Sequence, residues 1–340
     1  MTARKSHPLA DDIFRTILSV AVALLIFAAF LSANGANPSE IYSNMIVSTL
    51  GSGYGIGQVI VKNAPLLLVA IATVISAKAG LVNVGGEGQL AIGALTSTLA
   101  ANFLLKNVPG IIGIPLMALF GMAGGMLWSG AAGLLKVKAR MNETLTTVIM
   151  NYIAYDLLAF FVYGILKDPD SFNWPQSAEV ASQLRLPEIA PGVSISIFFG
   201  LGIAALTWYV LKYSARGFRL KVIGGNVQAA IHSGLNVGRI QMRAMLLSGA
   251  ISGLAGMLEI SGIEGRLRAT TGTNYGYYGF LAAWMAWNSP LGSIATAFVI
   301  GILTVAGGVL EITSSLPASA TKILMAIILL AILWKGKKHD

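Results

Sequence analysis

Apolar residues gather in long runs along the chain, near positions 13–31, 59–77, 88–105, 111–134, 143–166, 192–211, 243–262, 275–288, 292–310 and 319–334. About 20 apolar residues in an α-helix cross the ~30 Å hydrocarbon layer of a bilayer. The pattern therefore predicts an all-α, polytopic membrane protein with about ten transmembrane helices, forming a single membrane domain over residues 1–340. The runs 59–166 and 243–334 flank the run 192–211 in a way that suggests an internal inverted repeat, with a polar break at 80–89 answering one at 272–279.

Polar residues inside the runs are few, and each is costly at membrane depth. Gly80-Leu-Val-Asn-Val-Gly-Gly-Glu-Gly-Gln89 places Asn83, Glu87 and Gln89 between two apolar runs. Its glycines Gly85, Gly86 and Gly88 are expected to break the helix, and unwound backbone is tolerated in a membrane only where protein or a wet cavity covers it. The stretch joins a helix running inward to one running outward, which puts Glu87 nearer the cytoplasmic side than the midplane. A second group lies in Asn142-Glu-Thr-Leu-Thr-Thr-Val-Ile-Met-Asn151. Here Glu143, Thr147 and Asn151 follow at i, i+4 and i+8 on one helical face. Such a stripe either lines a pathway or hydrogen-bonds neighbouring helices. Glu259 is a third buried acid, with structure and function equally open. The aromatic residues Tyr275, Tyr277, Tyr278, Phe280, Trp284 and Trp287 form either an interfacial belt or, with Asn274 and Asn288, a stacking surface for a planar or sugar-like solute.

Composition agrees with this reading: 55% of residues are hydrophobic and 11% charged, with a mean hydropathy of +0.74, against roughly 25% charged in soluble proteins. The net charge of +9 does not point to nucleic acid, because the cations fall in short loops between apolar runs. Lys136, Lys138 and Arg140, then Lys212, Arg216, Arg219, Lys221, Arg239 and Arg243, and Lys335, Lys337 and Lys338 in the tail mark the cytoplasmic side, with both termini there. The opposite loop at about 167–191 is read as an ordered cap, a docking surface or a solvated connector. The inner segment at about 212–243 holds a short helix, Val227 to His232, capped by Asn226 and ended at Gly234. That helix rests on the membrane or fits a partner's groove.

Much chemistry has no support. The chain has no cysteine and no Gly-x-x-x-x-Gly-Lys-Ser/Thr loop for ATP. His7, His232 and His339 are too scattered for a metal site. Gly51-Ser-Gly-Tyr-Gly55 is read as a flexible linker in the first outer loop rather than a nucleophile elbow.

The residues also carry a resemblance. Gly80 to Ala94 resembles the "Phe-Asn-Ile-Gly-x-Glu-Gly-Gln" stretch of permease subunits of bacterial ABC importers, in the branched-chain amino acid and simple-sugar superfamily, nucleoside or simple-sugar group. Asn142 to Ala154 is similar to that group's "Asn-Glu-x-x-x-Thr-x-Met-x-Asn-Tyr-Ile" segment. Gly225 to Ala230, Gly234 to Val237 and Leu247 to Gly256 look like its cytoplasmic loop and following helix, so the likeness covers about residues 60–310. Two positions depart from the pattern: Val82 stands where Phe is frequent, and Val227 where Pro follows the Asn.

The resemblance implies a permease paired with a second permease subunit, alike or different. Cytoplasmic ATP-binding subunits and an extracytoplasmic solute-binding protein complete the set. ATP is used by those subunits, and no cofactor is bound by this chain. Asn226, Ala229, Ala230 and Gly234 are then the coupling segment. Asn83, Glu87, Gln89, Thr147, Asn151, Tyr278, Trp284 and Trp287 are candidates for the substrate pathway. The cargo implied is a nucleoside, with a simple sugar as alternative. An ion-coupled secondary transporter using Glu87 and Glu143 is the rival class.

Overall fold

A computed structural model describes residues 8–172, 174–313 and 319–336. The tail cations Lys337 and Lys338 and the histidines His7 and His339 lie outside them. In chain order the helices are α1 (Pro8–Ala33), α2 (Pro38–Leu50), α3 (Gly53–Lys78), α4 (Gly86–Leu99), α5 (Gly110–Ala139) and α6 (Glu143–Tyr163). A hairpin of β1 (Glu188–Ala190) and β2 (Val193–Ser194) separates these from α7 (Ser196–Tyr213), α8 (Ala215–Gly225), α9 (Val227–His232), α10 (Val237–Glu259), α11 (Tyr275–Met285), α12 (Pro290–Thr313) and α13 (Ser319–Gly336). Single π-helical turns extend α4 over Ala100–Leu104 and α10 over Ile260–Glu264. The protein is mostly helical. Among the described residues six helices are long and apolar enough to cross a membrane, or up to seven if α1 and α2, bent at 117°, form one span. The run 275–288, expected to be a span, is the 11-residue α11, too short to cross.

The chain divides into two compact units, residues 60–298 and residues 1–59 with 299–340. In the second of these α1 packs on α13, and the Tyr42 hydroxyl donates to the Leu24 carbonyl at 2.6 Å. Its α2 occupies a stretch expected to be loop. Asn37 accepts from the Ser39 amide at 3.2 Å and Pro38 fixes the first turn, a start signal present in the sequence. Ile41, Met45 and Thr49, at i, i+4 and i+8, form its buried face. Gly51-Ser-Gly-Tyr-Gly55 is accordingly no linker of an open loop; it ends α2 and begins α3.

In the larger unit α10 is packed between α4 and α5 by glycines. A Cβ at Gly253 would collide with the Gly121 carbonyl and come within 3.0 Å of the Gly125 amide. One at Gly125 would strike the Gly249 carbonyl, and one at Gly93 the backbone of Gly253. Backbones approach this closely only where side chains are absent, the usual solution when lipid offers no hydrophobic drive between helices. The Ser129 hydroxyl reinforces the contact by donating to the Met245 carbonyl at 2.7 Å. The 167–191 loop is ordered, not a solvated connector. Ser177 and Val180 donate to the carbonyls of Leu267 and Gly265 at 2.8 and 2.9 Å, and Glu179 pairs with both Arg185 and Arg266.

Gly253→Val should therefore overpack the α5–α10 contact, at a cost of about 3 kcal/mol or more. A thermal unfolding scan of the purified chain in detergent should show a lower midpoint than wild type. Gly202→Val, at a glycine with nothing within 4 Å, should leave the midpoint in place.

Candidate functional site

The polar break begins where α3 ends. Gly80 adopts φ +72°, and the amides of Gly80 and Leu81 donate to the carbonyls of Ala77 and Ser76, a left-handed glycine cap. Residues 82–84 then run without helical hydrogen bonds, and the Gly85 carbonyl accepts the Gln89 amide as α4 begins. The expectation that Gly85, Gly86 and Gly88 unwind the chain is corrected: the unwound part is upstream, and Gly86 and Gly88 lie in the first turn of α4. They are small because neighbours press on them. A Cβ on Gly86 would meet the Val69 side chain at 2.6 Å, and one on Gly88 the Asn151 Cα at 3.0 Å.

These contacts also fix the depth of the site. Val69 lies nine residues before the α3 end at Lys78, about 13 Å at 1.5 Å per residue. The break therefore climbs back from the basic end, so that the start of α4 stands alongside Val69, nearer the Lys78 end of α3 than the Gly53 end. From there α4 runs to the far end, where Gln183 of the 167–191 loop donates to the Lys106 carbonyl at 2.7 Å. The short α11 also starts at the level of Val69, with Gly279 against Val69 and Ala70, and runs to the basic end. There Trp287 and Asn288 share a cavity of about 250 Å³ with Lys78 and Lys221. Two half-helices thus begin side by side and point in opposite directions.

Glu87 joins them. Its Oε2 accepts the amides of Gly276 (2.6 Å) and Tyr277 (3.3 Å), and its Oε1 accepts the Asn274 amide (2.5 Å) and the Tyr155 hydroxyl (3.1 Å). The unmatched amides at the start of α11 are met by a carboxylate that itself lies in the first turn of α4. Both positive helix ends favour the negative charge. Glu87 is only 1% exposed, and a Cβ on Gly276 would collide with its backbone.

The other predicted polar residues hold the unwound segment. Asn83 Nδ2 donates to the Ser248 hydroxyl at 3.0 Å, and its Oδ1 accepts the Gly85 amide at 2.9 Å and Gln89 Nε2 at 3.2 Å. Thr147 Oγ1 accepts the Val84 amide at 3.3 Å. Asn151 Oδ1 accepts the Gly88 amide at 2.9 Å, while its Nδ2 donates to the Val84 carbonyl at 3.0 Å. All five predicted residues, Asn83, Glu87, Gln89, Thr147 and Asn151, come together and are buried.

The aromatic residues do not form one surface. Tyr275 is buried beneath the Lys62 ammonium, 5.6 Å from its ring centroid; Phe280 and Trp284 pair at 5.5 Å; Tyr278 is half-buried on α11; and the exposed Trp287 lies at the basic end. Tyr155 and Ser248 were missed. Tyr155 was within reach, since it continues the 143, 147, 151 spacing by one more turn. Ser248 sits in the glycine-rich run of α10 and had no such signal. Glu143 pairs with Lys136 at 2.6 Å, and Glu259 is buried with Oε2 unpartnered.

Asn226 caps α9 as expected, its Oδ1 accepting the Ala229 amide at 3.0 Å, and Gly234 ends the turn at φ +76°. Ala230 is fully buried and Ala229 exposed. The outward apolar face of α9 is Val227 and Ile231, which is 51% exposed.

Opposed half-helices meeting within the membrane span, with their freed backbone met by buried polar side chains, are the architecture of a membrane transport protein. The chain belongs to the family of branched-chain amino acid transport system permease components, whose model matches residues 55–333. It is 31% identical over 326 residues to a glucose ABC transporter permease of Haloferax volcanii, covering 92% of this chain and 85% of that one. A guanosine ABC transporter permease of Bacillus subtilis is 28% identical, with 97% and 94% covered. A nucleoside ABC transporter permease of Lactococcus lactis is 27% identical, with 92% and 88% covered. The chain is thus an ABC-type permease, a multi-pass protein of the plasma (inner) membrane.

Replacing Glu87 by Gln keeps the shape and puts an NH₂ group against amide donors. The expected cost is about 1–3 kcal/mol, read as a lower thermal unfolding midpoint in detergent. An unchanged midpoint would rule out the capping role.

Proposed function

We propose that this chain forms the membrane translocation pathway of an ATP-driven importer for nucleosides. It works with a second permease subunit, cytoplasmic ATP-binding subunits and an extracytoplasmic solute-binding protein. On this reading its basic end and both termini are cytoplasmic, it binds no cofactor, and it is not itself an enzyme, ATP being used by the partners. Membership of an ABC permease family sets aside the ion-coupled secondary transporter.

The observation that carries the reading is the link between the short basic-end helix and the polar break. The C-terminal glycines of α8 abut the end of α3: a Cβ on Gly224 would come within 2.7 Å of the Lys78 carbonyl, and one on Gly80 within 3.5 Å of Gly224 Cα. On the far side of α9, Gln241 in the first turns of α10 donates to the Ala79 carbonyl at 3.3 Å. Both flanks of α9 are therefore tied to the residues that lead into the unwound segment. A push on α9 from an ATP-binding partner would reach Gly80 through the close approach of Gly224 to Lys78 and the Gln241–Ala79 hydrogen bond.

Asn83, Glu87, Gln89, Thr147 and Asn151 then act as the hinge of the pathway, since their polar atoms already serve the backbone. Tyr278, Trp284 and Trp287, less buried, are the residues offered to solute. A nucleoside is preferred for the Glu-Gly-Gln and Asn-Glu forms of the motifs and for these aromatic side chains. The relative named for glucose supports the second reading, a simple sugar.

In proteoliposomes holding the complete transporter, guanosine uptake should require ATP and outcompete glucose. Preference for glucose would select the sugar reading, and uptake driven by an ion gradient without ATP would remove both. Ile231→Glu, on the exposed face of α9, should lower uptake at least tenfold while leaving the permease at normal membrane levels. Wild-type uptake by this variant would remove α9 from coupling.

A further inference from the structure

At the basic end of the larger unit a cavity of about 520 Å³ opens between the ends of α3, α7, α8 and α10. Its wall is divided by chemistry. Arg216, Arg219 and Arg243 supply three guanidinium groups, and Val210, Leu220 and Leu247 supply apolar surface. None of the ion pairs among the described residues uses these arginines. A local acid is not to hand, because no Asp or Glu occurs between Glu188 and Glu259. Three cations gathered without a counter-charge repel one another and call for an anion from outside the chain. An arginine fork holds a phosphate bidentately, and phosphate is the anion that a bilayer surface carries.

The surroundings decide the source of that phosphate. Leu247 is 50% exposed on the flank of α10, and Tyr209, Tyr213 and Phe218, next in sequence to lining residues or close to them, are exposed, a composition suited to the interface of a bilayer. The apolar wall is thus continuous with surface that meets lipid tails, while the arginines stand at headgroup level. A free phosphate or a nucleotide has no use for that wall. An acyl chain has.

We propose that this cavity binds an anionic phospholipid, with its phosphate held by Arg216, Arg219 and Arg243 and its acyl chain laid along Val210, Leu220 and Leu247. The bound lipid would tie α8, which leads into α9, to α10 and α3, and so brace the segment that joins α9 to the polar break.

Native mass spectrometry of the full-length chain in detergent tests this. With added phosphatidylglycerol the chain should retain at least one lipid that phosphatidylcholine does not replace and millimolar inorganic phosphate does not displace. The triple variant R216Q/R219Q/R243Q should bind that lipid at least tenfold more weakly. Leu247→Trp, which fills the apolar wall and leaves the charges, should lose it as well, whereas Arg243→Lys should keep most of it. Helicity measured on each variant confirms folding, and the comparison of lipids on the wild-type chain needs no variant. Equal retention of phosphatidylcholine, displacement by phosphate, or undiminished phosphatidylglycerol on the triple variant would overturn the proposal. So would a triple variant that keeps its lipid but no longer holds an ATP-binding subunit, since the cavity would then be a protein interface.

Discussion

One carboxylate sets the terms for the membrane interior of this protein. Starting a helix within a bilayer leaves amide groups without acceptors, in a medium where each costs several kcal/mol. The larger unit does this twice, at Gly86 and at Tyr275, and answers the second start with a side chain from the first. Glu87 accepts three backbone amides around the beginning of α11 while sitting in the opening turn of α4. A neutral acceptor would satisfy the hydrogen bonds singly. The negative charge serves them together and is itself stabilised by two helix ends.

The rest of the arrangement follows from keeping that junction dry and close. Glycines stand wherever a second backbone must pass. Gly276 lies on the backbone of Glu87, Gly86 and Gly279 on Val69, and Gly88 on Asn151. A methyl group at any of these would push the half-helices apart and open the hydrogen bonds that hold them. The same economy operates along α5 and α10, where Gly121, Gly125, Gly249 and Gly253 let backbones touch. Helices held this way lie backbone to backbone, so a single added methyl group is enough to part them.

Sequence reasoning reached the junction from one side. The glycine-rich break, the helical stripe through Glu143, Thr147 and Asn151, and the Asn226 cap all depend on local spacing, and local spacing is what a sequence displays. The five buried polar residues it singled out do meet. It misplaced the unwinding, because a glycine permits both a broken helix and a tightly packed one, and only the neighbours decide. The helix α2 was legible in Asn37-Pro38-Ser39-Glu40 and was overlooked for want of a long apolar run. The aromatic group of 275–287 could not have been resolved from sequence: its members share one short helix and the turn after it, yet face Lys62, Asn151 and the Lys78–Lys221 cavity in turn.

The polar network also ties the unwound segment to the helices on either side of it. Residues 82–84 have no helical hydrogen bonds of their own, so their position is set by Thr144, Thr147 and Asn151 of α6 on one side and by Ser248 of α10 on the other, while Gln241 of α10 holds Ala79. Any movement of α6 against α10 would break bonds to this segment and force it to rearrange. Because Glu87 follows in the first turn of α4, any such rearrangement shifts the cap of α11 as well. The unwound segment and the junction are therefore one connected network, in which Glu87 cannot move without its amide partners at the start of α11.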